Sequence, residues 1–125
     1  MLFGTGTGAD YDDGRLNDLS VRAGDEVKLF RAICEAEYIS IIENENKFIP
    51  YEYAMGKKWF ATCHAHAKKW GDWFYPDYTY KIIEITVLEE SLKYMFYLKS
   101  LDDIGAAYAA DEVLLNKIVR GLRLV

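Results

Sequence analysis

The chain has 125 residues and a formal net charge of −5, and its composition is 51% hydrophobic, 28% charged and 15% aromatic. This length suits one domain of ordinary size, and two prolines with nine glycines exclude a collagen-like or proline-rich chain. No apolar run approaches the roughly 18 residues of a membrane-spanning helix, and residues 1–9 lack the basic and apolar parts of a signal peptide. The composition predicts a globular domain with a substantial core.

The first 24 residues have the composition of a leader or linker. Glycine and acid dominate them, and such a segment cannot bury enough apolar surface to offset the entropy of ordering. Residues 1–26 hold six acids and two arginines, a charge of −4, so the rest of the chain is close to −1. We predict a flexible acidic leader over 1–24 and a single domain over 25–125. The nearly neutral domain argues against a nucleic-acid partner, because Lys and Arg contacts to phosphate supply most of that affinity.

The domain itself shows short elements of alternating type, and its patterns predict two main helices, over 35–45 and 63–70, with helical turns near 89–92 and 111–115. Thr62 is the candidate N-cap of the second helix, and Gly71 is its candidate C′ residue. Six or seven short strands are predicted, over 27–33, 47–50, 57–62, 79–87, 94–98, 104–109 and 117–125. The fold class is therefore α+β, with small mixed or antiparallel sheets.

Arg31 is the first residue that breaks the pattern. It lies mid-strand on the face formed by Leu29 and Ile33. A buried guanidinium needs an anion, because leaving it unpaired costs several kcal/mol. Its partner is either a glutamate of this chain, in a structural ion pair, or a phosphate or carboxylate of a ligand held by two parallel N–H donors.

Aromatic residues are concentrated in the middle of the chain, where 14 of the 19 lie between Phe48 and Tyr97. Most are expected in the core. The run Trp73-Phe74-Tyr75 is predicted to be a loop, which either anchors itself by burying rings or presents them to a planar ligand or a partner protein.

The histidines and cysteines offer a second kind of chemistry. His64 or His66 is a candidate general base, and Cys63 a candidate nucleophile. His66 shares a helix face with Trp70, which predicts a partly packed ring. Residues 64 and 66 of a helix point about 200° apart, so no metal site is predicted. One disulfide between Cys34 and Cys63 is possible, but two isolated cysteines in a chain of this size are expected as buried thiols.

Five segments carry a family resemblance: Leu29-Phe30-Arg31-Ala32, Glu35–Ile42, Gly56–Thr62, Ala67–Gly71 and Tyr80–Val87. In this order they resemble the ADP-ribosyltransferase-like C-terminal toxin domains of bacterial polymorphic toxins. Those domains open with an aromatic–Arg–Ala strand and a helix, followed by a lysine–aromatic–Phe–Ala–Thr strand, an alanine-rich helix and a β-rich second half. The resemblance covers 27–125 and implies an ADP-ribosyltransferase-like fold.

The resemblance also implies a reaction that uses NAD as a substrate. Cleavage of the nicotinamide–ribose bond develops an oxocarbenium-like cation that a carboxylate stabilises. By resemblance Arg31 holds a phosphate, Thr62 orders the site, and Tyr38 or an aromatic residue of 70–75 stacks on nicotinamide. The residues implied to contact NAD are Arg31, Ala32, Tyr38, Phe60, Thr62 and Trp70.

The catalytic acid departs from the family pattern. The family's glutamate is expected beside the late strand, where this chain has alanines, with Asp103 before them and Glu112 after them. Glu84 is a third candidate, because it is a charge at an apolar position of the strand over 79–87. Either one of these acids supplies the carboxylate or the domain lacks transferase activity.

The resulting expectation is an NAD-dependent ADP-ribosyltransferase-like toxin or effector domain, secreted or delivered into a target cell's cytoplasm. Its expected partner is a macromolecular target, protein rather than nucleic acid, and a cognate immunity protein is a further candidate. Two alternatives stay open. One is a toxin ribonuclease that uses His64 or His66 with Arg31 and a lysine; the other is a non-catalytic protein-interaction module.

Overall fold

The computed structural model of the protein describes residues 24–49 and 57–125. Its strands are β1 (Glu26–Cys34), β2 (Lys58–Ala61), β3 (Tyr80–Leu88), β4 (Phe96–Leu101), β5 (Gly105–Ala110) and β6 (Gly121–Leu124). Its α-helices are α1 (Glu35–Glu43), α2 (His64–Phe74) and α3 (Glu112–Ile118), and a 3-10 helix covers Glu89–Tyr94. The predicted α+β class is confirmed. The predicted leader lies outside the described residues, apart from residue 24.

The six strands form one antiparallel sheet in the order β4-β5-β2-β1-β3-β6. The contact between its two central strands, β2 and β1, is narrow. Strands β1 and β2 both lie within the described residues, and they are in register at one pair, Phe30 opposite Ala61. Strands β2 and β5, in contrast, are in register at four positions, over Lys58–Ala61. We call the Phe30–Ala61 pair the seam, and Arg31 is the residue that follows it on β1.

The chain divides into two compact units, which we describe separately. The larger unit is Lys28–Val87 with Lys93–Val125. The smaller unit contains Met1–Val27 and Leu88–Leu92, of which 24–27 and 88–92 are described. Within it the Glu89 amide donates to the Asp25 carbonyl at 2.7 Å. Burial, and then the nearby Asp25 and Glu90 charges, raise the pKa of the Glu89 carboxyl. None of the described helices is long and apolar enough to cross a membrane.

Helices cover both faces of the sheet in the larger unit. On one face, Ala67 and Trp70 of α2 pack with Ala61 of β2 and with Ile82 and Ala107. Successive strand residues alternate between faces, so Arg31 of β1 and Lys58 of β2 belong to the other face. There they meet charged residues of α1 and α3. The buried aliphatic side chains of β3 complete the core, and they are Ile82, Ile83, Ile85 and Val87.

Helix α2 is longer than predicted. The sequence analysis ends it at Trp70 with Gly71 as the C′ residue, but the helix continues to Phe74, so the prediction of a Trp73–Tyr75 loop is wrong for its first two residues. Gly71 is buried within the helix, and a Cβ there would come within 2.6 Å of ring atoms of Tyr80. Glycine is therefore needed here for close packing rather than for a left-handed helix end. The N-cap is Cys63 rather than Thr62.

The predicted edge strand over 47–50 is also wrong, since 47–49 form no strand and Pro50 lies outside the described residues. The backbone of Phe48 finds its partner in a side chain instead. Its N–H donates to Oδ1 of Asn116 at 2.8 Å, and its carbonyl accepts from Nδ2 of Asn116 at 2.9 Å. This two-bond clasp satisfies the backbone and lets the Phe48 ring stay buried against Phe60. Near the end of the chain, α3 runs to Ile118, so the last strand begins at Gly121 rather than 117.

We predict that Gly71→Ala lowers the free energy of unfolding by about 1–3 kcal/mol, because the added methyl overpacks the Tyr80 ring. Alanine favours a helix over glycine by about 1 kcal/mol, which opposes this loss only in part. The ring cannot move freely, because its hydroxyl donates to Asp72 at 2.5 Å. Urea unfolding measures the effect. The control is Gly121→Ala, whose Cβ would lie an ordinary 3.7 Å from Oγ1 of Thr86. Equal stability of the two variants would contradict the prediction.

Candidate functional site

A pocket of about 260 Å³ opens where β1 and β2 meet the end of α2 and the turn between β4 and β5. All of its described lining residues belong to the larger unit. Half of them are aromatic, one is a cation and one is a carboxylate. They are Arg31, Ala32, Trp59, Trp70, Phe74, Tyr75, Leu101 and Asp102. The pocket therefore combines stacking surfaces with one charge of each sign.

Local structure explains why these residues meet. Arg31, on the face opposite α2, and Ala32 are the first two residues of β1 beyond the seam, where β1 and β2 share no further register pair, and both border the pocket. Trp70 and Phe74 are four residues apart, so helical periodicity places them on one side of α2. Asp102 belongs to a tight turn in which its φ is +55° and that of Asp103 is +58°. Aspartate tolerates this left-handed region better than most residues, and the turn brings Asp102 to the pocket wall.

The Arg31 guanidinium is held from two sides. Its Nε donates to Oε2 of Glu37 at 3.0 Å and its Nη2 to Oε1 at 3.2 Å, while Nη1 donates to the Trp59 carbonyl at 3.1 Å. These bonds use three of the five N–H donors of an arginine. The Arg31 side chain keeps 21% of its surface exposed, whereas that of Glu37 keeps 8%. Of the two partners expected for Arg31, an internal glutamate is present, and the side chain is still partly exposed.

Glu37 belongs to a longer series of alternating charges. Its Oε2 lies 3.9 Å from Nζ of Lys58, and Nζ lies 3.6 Å from Oε2 of Glu112. Less than one-tenth of the side-chain surface is exposed in both Lys58 and Glu112. Oε2 of Glu112 has no hydrogen-bond donor among the described residues, so Lys58 supplies its counter-charge. We call Arg31, Glu37, Lys58 and Glu112 the charge chain; it links β1, α1, β2 and α3 with two charges of each sign.

The pocket gathers some of the residues predicted to contact NAD and not others. Arg31, Ala32 and Trp70 line it. Phe60 is fully buried, with the Arg31 guanidinium 6.0 Å from its ring centre. The other two are not among the described lining residues: Thr62 is exposed just after β2, and the Tyr38 ring of α1 contacts Nζ of Lys81 at 5.5 Å.

The three predicted acids lie in three different settings. Glu112 is in the charge chain, on the face opposite α2. Glu84 of β3 accepts a hydrogen bond of 2.8 Å from Nε of Arg123 on β6, and this contact raises the pKa of Arg123. Asp103 is exposed in the β4–β5 turn, next to Asp102. The carboxylate among the described lining residues is that of Asp102, which the sequence analysis did not select.

Sequence reasoning missed Glu37, Lys58 and Trp59, whereas Phe74 lies within the segment 70–75 from which a stacking residue was expected. A local signal existed for Phe74, because it lies four residues after Trp70 and would have joined that helix face if α2 had been extended past Gly71. The local signal for Trp59 was weaker, and it consisted only in the alternation of Trp59 with Phe60 along β2. Glu37 and Lys58 had none, because their roles depend on which elements pack together.

A second, more open groove of about 430 Å³ lies beside α2 and β3; it is lined in part by His64, Lys68, Asp72 and Tyr80. Asp72 accepts from the Tyr80 hydroxyl at 2.5 Å and from Nζ of Lys68 at 3.0 Å. These two bonds lower the pKa of Asp72, while burial, and then the bond to Asp72, raise the pKa of Tyr80. At neutral pH Tyr80 is thus a protonated donor to an ionised Asp72. This trio fixes the Tyr80 ring against α2.

The two histidines of α2 lie in different settings. His66 packs on Gly105, and its Nδ1 is buried with no hydrogen-bond partner among the described residues. His64 is exposed, with its ring edge-on to Phe30. Over 24–49 and 57–125, no three His, Cys, Asp or Glu side chains are grouped to hold a metal ion. Cys34 and Cys63 are both free in this part of the chain, and each is partly rather than fully buried.

Comparison with known proteins gives no relative from which a function could be inferred. No protein-family model, curated protein or solved structure matches this chain. The pocket and the charge chain are therefore interpreted from their own chemistry.

Proposed function

We propose that this protein binds NAD in the pocket and transfers its ADP-ribose to a macromolecular target, a protein rather than a nucleic acid. One observation carries the proposal: Arg31 lines a single pocket together with four aromatic residues and Asp102. The oxidised nicotinamide ring is planar and positively charged, and aromatic faces attract such a ring. A guanidinium pairs well with a phosphate. The pocket thus offers one group for each part of the nicotinamide half of NAD.

The size of the pocket agrees with that half. Pockets that enclose a drug-sized ligand typically measure about 300–1,000 Å³. At about 260 Å³, this one suits a nicotinamide ring, its ribose and the adjoining phosphate, with the adenosine half outside. The order of elements supports the same reading: β1 carries Phe30-Arg31-Ala32 and leads into α1, β2 leads into α2, and four strands follow. This is the order of the toxin domains that the sequence resembles.

Residues of the pocket can act at each step of ADP-ribose transfer. The bond between the nicotinamide nitrogen and ribose C1′ breaks, and both electrons leave with neutral nicotinamide. Positive charge develops at C1′ until a nucleophilic atom of the target bonds to it and loses its proton. Asp102 is the pocket carboxylate that can stabilise this charge, and Arg31 holds the phosphate. The aromatic residues Trp59, Trp70, Phe74 and Tyr75 hold the ring and exclude water.

Arg31→Lys tests the proposal. Lysine keeps the charge but cannot hold a phosphate with two parallel donors, so we expect NAD binding to weaken about tenfold, a loss of about 1.4 kcal/mol. Calorimetry measures the affinity, and release of nicotinamide measures the reaction. Mass spectrometry of a bacterial lysate incubated with the protein and NAD detects the ADP-ribose adduct on the target.

Arg123→Lys is the matched control, because Arg123 also pairs with a glutamate but lies on β6, away from the lining residues. It should bind and cleave NAD as the wild type does. A wild-type protein that neither binds nor cleaves NAD would overturn the proposal. The ribonuclease and the interaction module would then be the alternatives left.

A further inference from the structure

We propose that Glu37 is an internal competitor for the ligand phosphate. In the unliganded protein it occupies the Arg31 guanidinium, and when a phosphate takes its place its carboxylate moves to Lys58. This inference rests on the proposed function, since it concerns how the pocket admits NAD. Glu37 and Lys58 are positioning residues in it, because they act through Arg31.

The competition follows from the hydrogen bonds of Arg31. Glu37 uses both carboxylate oxygens on one edge of the guanidinium, Oε2 on Nε at 3.0 Å and Oε1 on Nη2 at 3.2 Å. A phosphate held by two parallel bonds needs an edge of this kind. On the other side of the group, one N–H of Nη1 donates to the Trp59 carbonyl. A phosphate that forms its two parallel bonds at this Nε–Nη2 edge therefore replaces Glu37.

Lys58 provides the place to which Glu37 moves. The Glu37 carboxylate is buried, so it cannot be left without a counter-charge. Nζ of Lys58 is already 3.9 Å from Oε2 of Glu37, and it lies 3.6 Å from Glu112. An ammonium has three N–H donors, so it can bond two carboxylates at once. The exchange needs a side-chain rotation only, and every carboxylate keeps a cation beside it.

This arrangement makes binding depend on charge. A ligand that binds only when Arg31 is released has its affinity reduced by the fraction of the protein in which Arg31 is free. A ligand without a phosphate does not need Arg31 and is not affected. Glu37 thus selects for a phosphate-bearing ligand over a nucleoside with the same ring.

Glu37→Gln tests the competition, because glutamine keeps the shape of the side chain and removes its charge. We expect the Kd for NAD to fall about tenfold or more. The Kd for nicotinamide riboside, which has the same ring and ribose and no phosphate, should not change. Glu35→Gln is the matched control: it removes the same charge from the same helix, at a side chain that is 62% exposed and pairs with Lys81. It should leave both constants unchanged.

The wild-type protein provides a second readout that does not depend on the folding of a variant. The Nε–H resonance of Arg31, identified by its absence in Arg31→Lys, reports the bond to Glu37. We expect NAD to shift this resonance, and the shift should saturate with the Kd found by calorimetry. Nicotinamide riboside should leave the resonance in place.

The outcomes separate the inference from the proposed function. If the wild type and Glu37→Gln bind NAD equally well, or NAD saturates the wild type without moving the Arg31 resonance, the competition is overturned and NAD binding stands. If neither protein binds NAD, the proposed function falls and the competition falls with it.

Discussion

Replacing Lys58 with methionine is expected to cost about 3–5 kcal/mol of unfolding free energy, because it leaves the buried Glu112 carboxylate without its cation. The Lys58 side chain is 6% exposed, and Glu112 depends on it for a counter-charge at 3.6 Å. Methionine fills a similar volume, so the loss reports charge rather than a cavity. A domain is typically stable by about 5–15 kcal/mol, so this one substitution removes a large part of the margin. Urea unfolding of the two proteins at pH 7 measures the difference.

Two further variants separate the charge from its position. Lys57→Met changes the exposed neighbour, whose Nζ lies 5.5 Å from the Phe96 ring centre, and should cost less than about 1 kcal/mol. The double variant Lys58→Met with Glu112→Met removes both charges and should recover much of the loss, because a buried ion pair replaced by apolar side chains is often neutral. If Lys58→Met is no less stable than Lys57→Met, the charge chain does not support the fold.

The sequence predicts β1 and β3 well because strand signals are local, whereas the strand predicted at 94–98 lies at Phe96–Leu101, after the 3-10 helix that ends at Tyr94. Alternation and β-branched residues place β3 at Tyr80–Leu88 within one residue of the expected bounds, and β1 within one residue as well. The boundaries fail where tertiary contacts decide them. At Gly71 the approach of Tyr80 requires a glycine inside a helix, and at Phe48 the side chain of Asn116 replaces a neighbouring strand. Neither partner is visible from local pattern.

For the same reason, only some of the site residues could be predicted from the sequence. Arg31 stands out because a charge on an apolar strand face breaks a local rule. Its partner Glu37 does not, because α1 is rich in acid and only the packing of α1 on β1 selects one of them. Lys58 and Glu112 lie 54 positions apart, and β2 and α3 must both be folded before they meet. A sequence pattern marks the residue that needs a partner but does not identify that partner.

Two adjacent aspartates show most clearly that a sequence pattern does not identify the residue in the site. Asp102 and Asp103 share a turn, a left-handed φ and an exposed position. Asp102 nevertheless lines the pocket, and Asp103 is not among its described lining residues. We expect Asp102→Asn to lower nicotinamide release from NAD by about 10²–10³-fold, the effect of removing one group that stabilises charge in the transition state. NAD affinity should change little, because the charge at C1′ develops only as the bond breaks.

Asp103→Asn is the closest control that the chain offers for this prediction. Asparagine tolerates the left-handed region as aspartate does, so neither variant strains the turn, and both lose one negative charge from the same turn. Steady-state release of nicotinamide, with calorimetric affinities for NAD, separates a loss of turnover from a loss of binding. Equal turnover in the two variants would remove Asp102 from the reaction. A fall in Asp103→Asn alone would transfer the role to Asp103, one of the three acids proposed from the sequence, and the turn would then have to rotate when NAD binds.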